Sequence, residues 1–391
     1  MNFKFFIYSF ILFAACADDN IVLYFEYPDH EVLNIGSRLT DMVVTNDSNT
    51  LIVADKGNNQ VRFIDVSGEE MVIVGNVWVG SEPTSLELTA DGLFLLVGLQ
   101  GASSVSVVSV QDQELLASIA LNDNSYSGVY DIEYINTTDQ LIVSYVASNP
   151  TYNKTKLYNL DLYPADGAST FTAVPSTFEI SGLTYPIEDD FAGSICVSDD
   201  EQFLYIIDRF GGVDRVYKYQ ISGIWDGPDS FSSIVGDISI FHDIEYVPGF
   251  GIVVAVEGMD PFGEEVLDHS PVFDLNGLNH VANFGVGSTP IALTYDSIGE
   301  HLYISPTDVD DNGVFVIEYS IETQLQTNYY QVAGRLGSHA LVVDHKGEYL
   351  YAAVDDLSDQ DTNEPYNNSS FNIQRIEIIP EDTYNAINNF D

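Results

Sequence analysis

The sequence predicts an all-β protein of 391 residues, in which one four-stranded unit is repeated seven times. Short apolar and β-branched segments alternate along most of the chain with turn signals such as Asp91-Gly92. The copies recur about every 40 to 60 residues, a spacing typical of propeller blades rather than of solenoid repeats. We therefore expect a seven-bladed β-propeller made of four-stranded antiparallel blades.

The clearest copy of the unit spans residues 83–121, "PTSLELTADGLFLLVGLQGASSVSVVSVQDQELLASIAL". Its pattern predicts four strands, at residues 84–89, 93–98, 104–110 and 114–121. Similar units begin near residues 39, 83, 130, 191, 241, 288 and 339. Residues 17–391 are therefore expected to form a single propeller domain.

The last copy has only three evident strands and ends in "FNIQRIEII". A spare strand, "NIVLYFEY", lies at residues 20–27, where Ile21, Leu23 and Phe25 alternate with other residues. We expect this N-terminal strand to complete the last blade and close the ring, since closure removes the unpaired edges of the sheets.

Residues 1–16 have the pattern of an export signal, with Lys4 followed by an apolar run too short to span a bilayer. The end of this segment, "LFAAC", resembles the lipobox of bacterial lipoproteins, which implies lipidation of Cys16. Cleavage near Ala15 or Ala17 is the alternative and would give a secreted protein. The second cysteine, Cys196, is expected to be a buried structural thiol.

The chain has a formal net charge of -48 at pH 7. Such a charge repels nucleic-acid phosphates and anionic lipid headgroups, so we exclude a nucleic-acid partner and expect membrane contact only through a lipid anchor. The charge indicates either binding of divalent cations or cationic partners, or solubility in a salty medium.

Two segments, "NNQVRFIDV" and "PTSLELTADGLFLLVG", resemble the YVTN and NHL families of β-propeller repeat. The overall plan is similar to the seven-bladed lactonase-like proteins. This resemblance implies the fold, but it says little about function, because propellers include hydrolases, scaffolds and adhesins.

The longest connections of the repeats are polar and acidic. They fall in the loops that open on one face of a propeller, and we call this the acidic face: "VASNPTYNKTK", "EGMDPFGEEVLDHSP", "SPTDVDDNG" and "DDLSDQDTNEPYNNSS". Long loops on a rigid scaffold are where function usually lies.

One of these loops has the spacing of the first half of a calcium loop. Asp308, Asp310 and Asn312 alternate, Gly313 permits a sharp turn, and Val314 could add its carbonyl oxygen. The later positions of the loop carry no carboxylate, so an acidic hairpin turn is the alternative. Calcium is the one cofactor that the sequence suggests.

Two inner strands contain similar sequence motifs, "YDIEY" at residues 130–134 and "HDIEY" at residues 242–246. Period-two alternation places the two acids of each motif on one side of its strand, near the central channel. Together with two histidines they form a candidate metal or acid/base site: Asp131, Glu133, Asp243, Glu245, His242 and His339. The alternative is that the acids bind water or the amides of a blade edge.

Three arginines are expected on one face of the ring, Arg38, Arg209 and Arg335. In a chain with few basic residues they could bind a carboxylate or phosphate group. Pairing with nearby acids is the alternative interpretation.

No common nucleophile, phosphate-loop, metalloprotease or haem motif is found in the sequence. The first hypothesis is a cell-envelope lipoprotein whose propeller binds a protein or glycan partner, at the cell surface or in the periplasm, through its acidic face. The second is a lactonase-like hydrolase that uses the central funnel, with a metal or with His242 and His339 as electrophile and base.

Overall fold

The computed structural model describes most of the chain beyond residue 30. The described residues are 31–121, 126–147, 154–162, 172–180, 193–210, 213–221, 230–234, 240–257, 269–286, 290–306, 314–332, 334, 336–355 and 371–379. All regular elements in them are β-strands, apart from one turn of 3-10 helix at Lys56–Asn58.

The strands form seven four-stranded antiparallel sheets, which confirms the predicted fold class. The first blade contains β2 (Leu39–Val44), β3 (Thr50–Asp55), β4 (Gln60–Asp65) and β5 (Val72–Trp78). The second contains β6 (Pro83–Leu88), β7 (Phe94–Leu99), β8 (Ser104–Ser109) and β9 (Glu114–Ala120). The third contains β10 (Tyr126–Ile135), β11 (Gln140–Ala147), β12 (Lys154–Asp161) and β13 (Thr172–Ile180).

The fourth blade contains β14 (Ile195–Val197), β15 (Phe203–Phe210), β16 (Val213–Gln220) and β17 (Ser230–Ile234). The fifth contains β18 (Ile240–Val247), β19 (Gly251–Glu257), β20 (His269–Phe273) and β21 (His280–Gly285). The sixth contains β22 (Pro290–Asp296), β23 (His301–Pro306), β24 (Val314–Ser320) and β25 (Gln326–Val332). The seventh contains β26 (Leu336–Val343), β27 (Tyr349–Asp355) and β28 (Phe371–Glu377), completed by β1 (Glu31–Ser37).

An N-terminal strand closes the ring as expected, but it is β1 and not residues 20–27. β1 pairs antiparallel with β28, with Glu31 opposite Arg375, and so occupies the outer position that was assigned to "NIVLYFEY". The outermost strand of a blade buries only one face, so the alternating segment 31–37 suits this place better than a strongly apolar one. Residues 20–27 lie outside the described part of the chain.

The hydrophobic core lies between neighbouring blades. Middle strands such as β7 and β8 are buried along almost their whole length, because each faces a blade on both sides. Outer strands alternate in burial; on β5, Val77 is buried whereas Trp78 is 64% exposed. The core therefore continues from one blade to the next, and it leaves the inner strands to line the centre.

The side chain of Arg375 joins the last blade to the first. Its guanidinium group donates to the carbonyl oxygens of Val66 and Gly68, each at 2.9 Å, and of Glu69 at 2.6 Å. It also lies 2.6 Å from the carboxylate of Glu31 on β1. One buried cation thus connects the third and fourth strands of the last blade to a loop of the first blade.

Candidate functional site

A cavity of about 270 Å³ lies where the inner strands of the seven blades meet. Each inner strand, β2, β6, β10, β14, β18, β22 and β26, contributes at least one residue to its wall, and we call this cavity the central funnel. Most of its charged groups are acids. The carboxylates in the wall are those of Asp41, Glu87, Asp131, Glu133, Asp199, Asp243 and Glu245.

Three aspartates in this wall bridge neighbouring blades. Each accepts a hydrogen bond from the amide of the residue that follows it, and a second from an amide on the next inner strand. The second bonds join Asp41 to Leu86 at 2.6 Å, Asp131 to Ile195 at 2.9 Å, and Asp243 to Leu293 at 2.9 Å. The alternative role foreseen for Asp131 and Asp243, binding to blade-edge amides, is therefore present in the structure.

Local irregularities of the strands explain how the aspartates reach across. β2, β10 and β18 each shift register at or beside the aspartate. A bulge leaves one residue unpaired and redirects its neighbour, so the carboxylate turns toward the next blade. These bonds fix the blades two by two: the first to the second, the third to the fourth, and the fifth to the sixth.

Burial raises the pKa of Asp41 and of Asp243. The pKa of Asp41 rises to about 7, because burial outweighs the attraction of His339 and the amide of Leu86. Burial also raises the pKa of Asp243, again against the attraction of His339. Part of the acidic wall is therefore still protonated near neutral pH.

Three glutamates form a second layer of the wall, and they lie on inner strands of the second, third and fifth blades. Glu87, Glu133 and Glu245 are half-buried and accept no hydrogen bond from a donor in the described part of the chain. Burial and neighbouring carboxylates raise the pKa of all three, and that of Glu245 reaches about 8. These side chains are available to bind a ligand.

The only histidine in the described wall of the funnel is His339 on β26. Its Nδ1 lies 3.3 Å from a carboxylate oxygen of Asp243, and its Nε2 lies 3.2 Å from the hydroxyl oxygen of Ser194. Burial lowers the pKa of His339, but four carboxylates outweigh this effect, Asp243 most strongly, and raise the pKa to about 9. At neutral pH the ring is an imidazolium.

Five of the six residues predicted for the funnel site lie in its wall, and the side chain of the sixth is not described. Asp131, Glu133, Asp243, Glu245 and His339 all lie in the wall. His242 lies within β18, but its side chain is outside what the structure describes. Cys196 is a free buried thiol that also lines the funnel, and burial raises its pKa well above the usual range.

Two of the three arginine side chains predicted to bind an anion lie outside what the structure describes, so their grouping stays a prediction. Arg38 is half-buried in the link between β1 and β2, and it is not part of the funnel wall. Arg209 belongs to β15, but its side chain is not described, and Arg335 lies outside the described residues.

The segment predicted as a candidate calcium loop also lies largely outside the described residues. This applies to Asp308, Asp310 and Asn312, and Val314 is described only as the first residue of β24. Elsewhere in the described ranges, no group of three or more His, Cys, Asp and Glu side chains is arranged to hold a metal ion. The same ranges contain no helix that is long and apolar enough to cross a membrane.

Asp41, Glu87 and Ser194 were not among the residues predicted from the sequence. A comparison of the repeats could have found Asp41, because "TDMVV" occupies the same place in its blade as "YDIEY" in the third. Ser194 had no such signal, since its contact with His339 joins the fourth and seventh blades across the ring.

Comparisons with known proteins agree with the fold. A family model described as "Lactonase, 7-bladed beta-propeller" matches residues 26–123, which span β1 and the first two blades. No curated protein matches the sequence.

Solved structures show the same architecture over most of the chain. A chain of "Kuenenia stuttgartiensis Hydrazine Synthase" has a TM-score of 0.65 and 16% identity, covering 91% of this chain and 99% of that one. A chain of "Crystal Structure of Mitotic Checkpoint Complex" has a TM-score of 0.63 and 13% identity, covering 94% and 100%. At such identities the likeness shows the fold alone. The chain is thus a β-propeller that is similar to the seven-bladed lactonase propellers in its N-terminal part.

Proposed function

We propose that this protein is a binding propeller of the cell envelope, and that its central funnel takes a small cationic ligand. The observation that carries this proposal is the second layer of the wall, where Glu87, Glu133 and Glu245 have no hydrogen-bond donor among the described residues. Burial without a partner disfavours the ionised form of these groups and raises their pKa, and a bound cation would stabilise the ionised form.

The chemistry of the wall favours an organic ammonium group over a metal ion. Each bridging aspartate already accepts two amide hydrogens, which reduces its capacity to coordinate a metal. A primary ammonium group has three hydrogens to donate, one for each of Glu87, Glu133 and Glu245. The volume of about 270 Å³ limits the ligand to a small molecule or to the end of a basic side chain.

Isothermal titration calorimetry with spermidine at physiological ionic strength tests this proposal. The triple variant Glu87→Gln, Glu133→Gln, Glu245→Gln should lose at least tenfold in affinity, since it removes the unpartnered carboxylates. The matched control replaces three exposed acids, Glu70, Glu114 and Glu322, by glutamine and changes the net charge equally. Equal loss in both variants would indicate attraction by the overall charge, which contradicts a specific site.

We also propose that the propeller acts outside the cytoplasm. The "LFAAC" segment supports export and lipidation at Cys16, with secretion as the alternative. The acidic face would then meet a protein or glycan partner at the cell surface or in the periplasm. The net charge of -48 supports a partner with basic groups.

A second candidate function is lactone hydrolysis in the funnel, and the match of residues 26–123 to a lactonase family model favours it. The pKa of His339 at about 9 suits an electrophile at neutral pH rather than a base. Release of acid from a simple δ-lactone in a pH-stat would support this function. Loss of that activity in His339→Gln would assign it to the funnel.

A further inference from the structure

The outer edge of the first blade is apolar and has no partner strand in the described part of the chain. Its last strand, β5, has the sequence "VIVGNVW", and one row of its amide and carbonyl groups faces outward. Val72 and Val74 are each 51% exposed, and Trp78 is exposed as well. β5 is therefore an open template for one more strand.

β5 is less protected than other outer strands of the ring. Proteins protect edge strands with charged residues, with proline, or by keeping them short. β9 begins with Glu114, β13 contains Pro175, and β17 has only five residues. β5 has neither a charged residue nor a proline among its seven residues. An uncovered edge of this kind favours aggregation, so we expect a segment that covers it.

The start of β1 lies beside the start of β5. The amide of Met71, the residue before β5, donates to the carboxylate of Glu31 at the start of β1. The same carboxylate lies 2.6 Å from Arg375, whose guanidinium group also binds carbonyl oxygens of the loop that precedes β5. Leu33 of β1 and Ile73 of β5 pack against the same hydrophobic cluster. The polypeptide therefore enters the described structure next to the first residue of β5.

The segment at residues 20–27, "NIVLYFEY", suits this edge in length and composition. It has eight residues against seven in β5, and six of the eight are aliphatic or aromatic. Residues 28–30 connect it to Glu31, and the four steps from residue 27 to residue 31 span at most about 14 Å. Neighbouring strands lie about 4.8 Å apart, so this connection is long enough for the segment to lie along β5.

The direction of the chain favours antiparallel pairing with β5. β1 begins beside the start of β5 and ends at the opposite end of the first blade, where the hydroxyl of Ser37 donates to Asp55. A segment that leads along the rim to the start of β1 runs opposite to β5, which matches the antiparallel pairing within the sheets. A tight hairpin back onto β1 is disfavoured. Pro28 fixes φ at about −65°, whereas the favoured two-residue hairpin turns need a positive φ at their first position.

We propose that residues 20–27 add a fifth, antiparallel strand to the first blade along the free edge of β5. Backbone pairing satisfies the outward row of amide and carbonyl groups, and apolar side chains of the segment lie beside Val72, Val74 and Trp78. A tether of three residues gives the segment a high effective concentration at β5, above that of a separate partner. The net charge of -48 disfavours a second copy at this edge, because two copies repel each other.

Docking of this segment attaches the N-terminal part of the mature chain to the rim of the propeller. Cleavage before Cys16 leaves the segment in the mature protein, with only residues 17–19 between it and the cysteine. A lipid on Cys16 would then lie close to the rim and would orient the ring at the membrane. That consequence rests on the proposed lipidation, whereas the docking itself depends neither on the lipid nor on a ligand in the funnel.

Hydrogen exchange of the mature protein, followed by mass spectrometry, tests this proposal. We expect the amides of residues 20–27 to exchange at least a hundredfold more slowly than those of an unstructured chain. Deletion of residues 20–27 should speed the exchange of those β5 amides that do not pair with β4 at least tenfold, and it should leave β1 unchanged. Fast exchange of residues 20–27 in the wild type would overturn the proposal, whether or not a variant folds.

Two double variants provide a matched comparison. Val72→Asp with Val74→Asp adds two charges to the edge of β5, and Leu115→Asp with Leu116→Asp adds two to β9, where both leucines are also exposed. Only the first pair should release residues 20–27, with exchange there at least tenfold faster.

Three results would overturn docking of the segment on β5 of its own chain. The first is equal release of residues 20–27 by both double variants. The second is faster exchange of β1, and not of β5, after the deletion, which would place the segment on β1. The third is protection that decreases on dilution together with a dimer in light scattering, which would mean that a second copy covers the edge.

Discussion

Replacing Glu245 by glutamine is expected to stabilise the protein at pH 7 and to change its stability little at pH 5. The carboxyl of Glu245 has a pKa of about 8 in the folded protein, against 4.5 for a free side chain. Between these values the folded state keeps a proton that the unfolded state releases. Stability therefore decreases as pH rises from 4.5 to 8, and glutamine removes this dependence.

The size of the effect follows from the difference in pKa. One pH unit of differential protonation corresponds to about 1.4 kcal/mol, so the cost of Glu245 is about 3 kcal/mol at pH 7 and about 1 kcal/mol at pH 5. Glutamine has nearly the same shape, and the carboxylate makes no hydrogen bond that its loss would break among the described residues. The difference between variant and wild type should therefore grow by about 2 to 3 kcal/mol from pH 5 to pH 7.

Urea denaturation at pH 5, 6, 7 and 8, followed by intrinsic fluorescence, measures this difference. Glu114→Gln on the outer strand β9 removes one exposed carboxylate and reports the effect of overall charge. An equal change in stability at all four values of pH would contradict a raised pKa of Glu245 in the folded protein. A Glu245→Gln variant that is less stable than the wild type at pH 8 would contradict it too.

Three further predictions concern the rest of the chain. Arg375→Met should lower the free energy of unfolding by about 3 to 5 kcal/mol, because three carbonyl oxygens lose their donor. Lys346 is exposed, so Lys346→Met should have little effect in the same denaturation experiment. Cys16→Ser should move the protein from the membrane to the soluble fraction, and an unmodified mature N-terminus beyond Cys16 would contradict lipidation. Millimolar calcium should raise the melting temperature of the wild type more than that of the double variant Asp308→Ala, Asp310→Ala. Equal increases in both proteins would mean that calcium binds elsewhere. No increase in either protein would mean that this segment is only an acidic turn.

The fold could be predicted because each strand has a local signal. In the second blade, alternating apolar residues and turns such as Asp91-Gly92 predicted strands within about one residue of their observed bounds. The closing strand was misplaced because β-propensity favours residues 20–27. The position that β1 fills is an outer edge, where β-propensity matters less than alternation.

The site was predictable only in part, for a different physical reason. Period-two alternation is a property of one strand, and it correctly brought Glu133 and Glu245 to the channel. The bridging bonds of the aspartates depend on bulges, and the contact between Ser194 and His339 depends on how blades meet across the ring. No single repeat contains that information.

The pairing of β1 with β28 has a consequence for the order of folding. Each of the first six blades is built from one continuous stretch of chain, so it can form as soon as that stretch is available. The seventh blade must wait, since its outer strand is made early in synthesis and its partner strand near the end. Until then β1 is an unpaired strand at risk of pairing with another molecule. Ring closure is therefore expected to be the slow, late step, and a chain truncated before residue 371 would leave an open ring that is prone to aggregation.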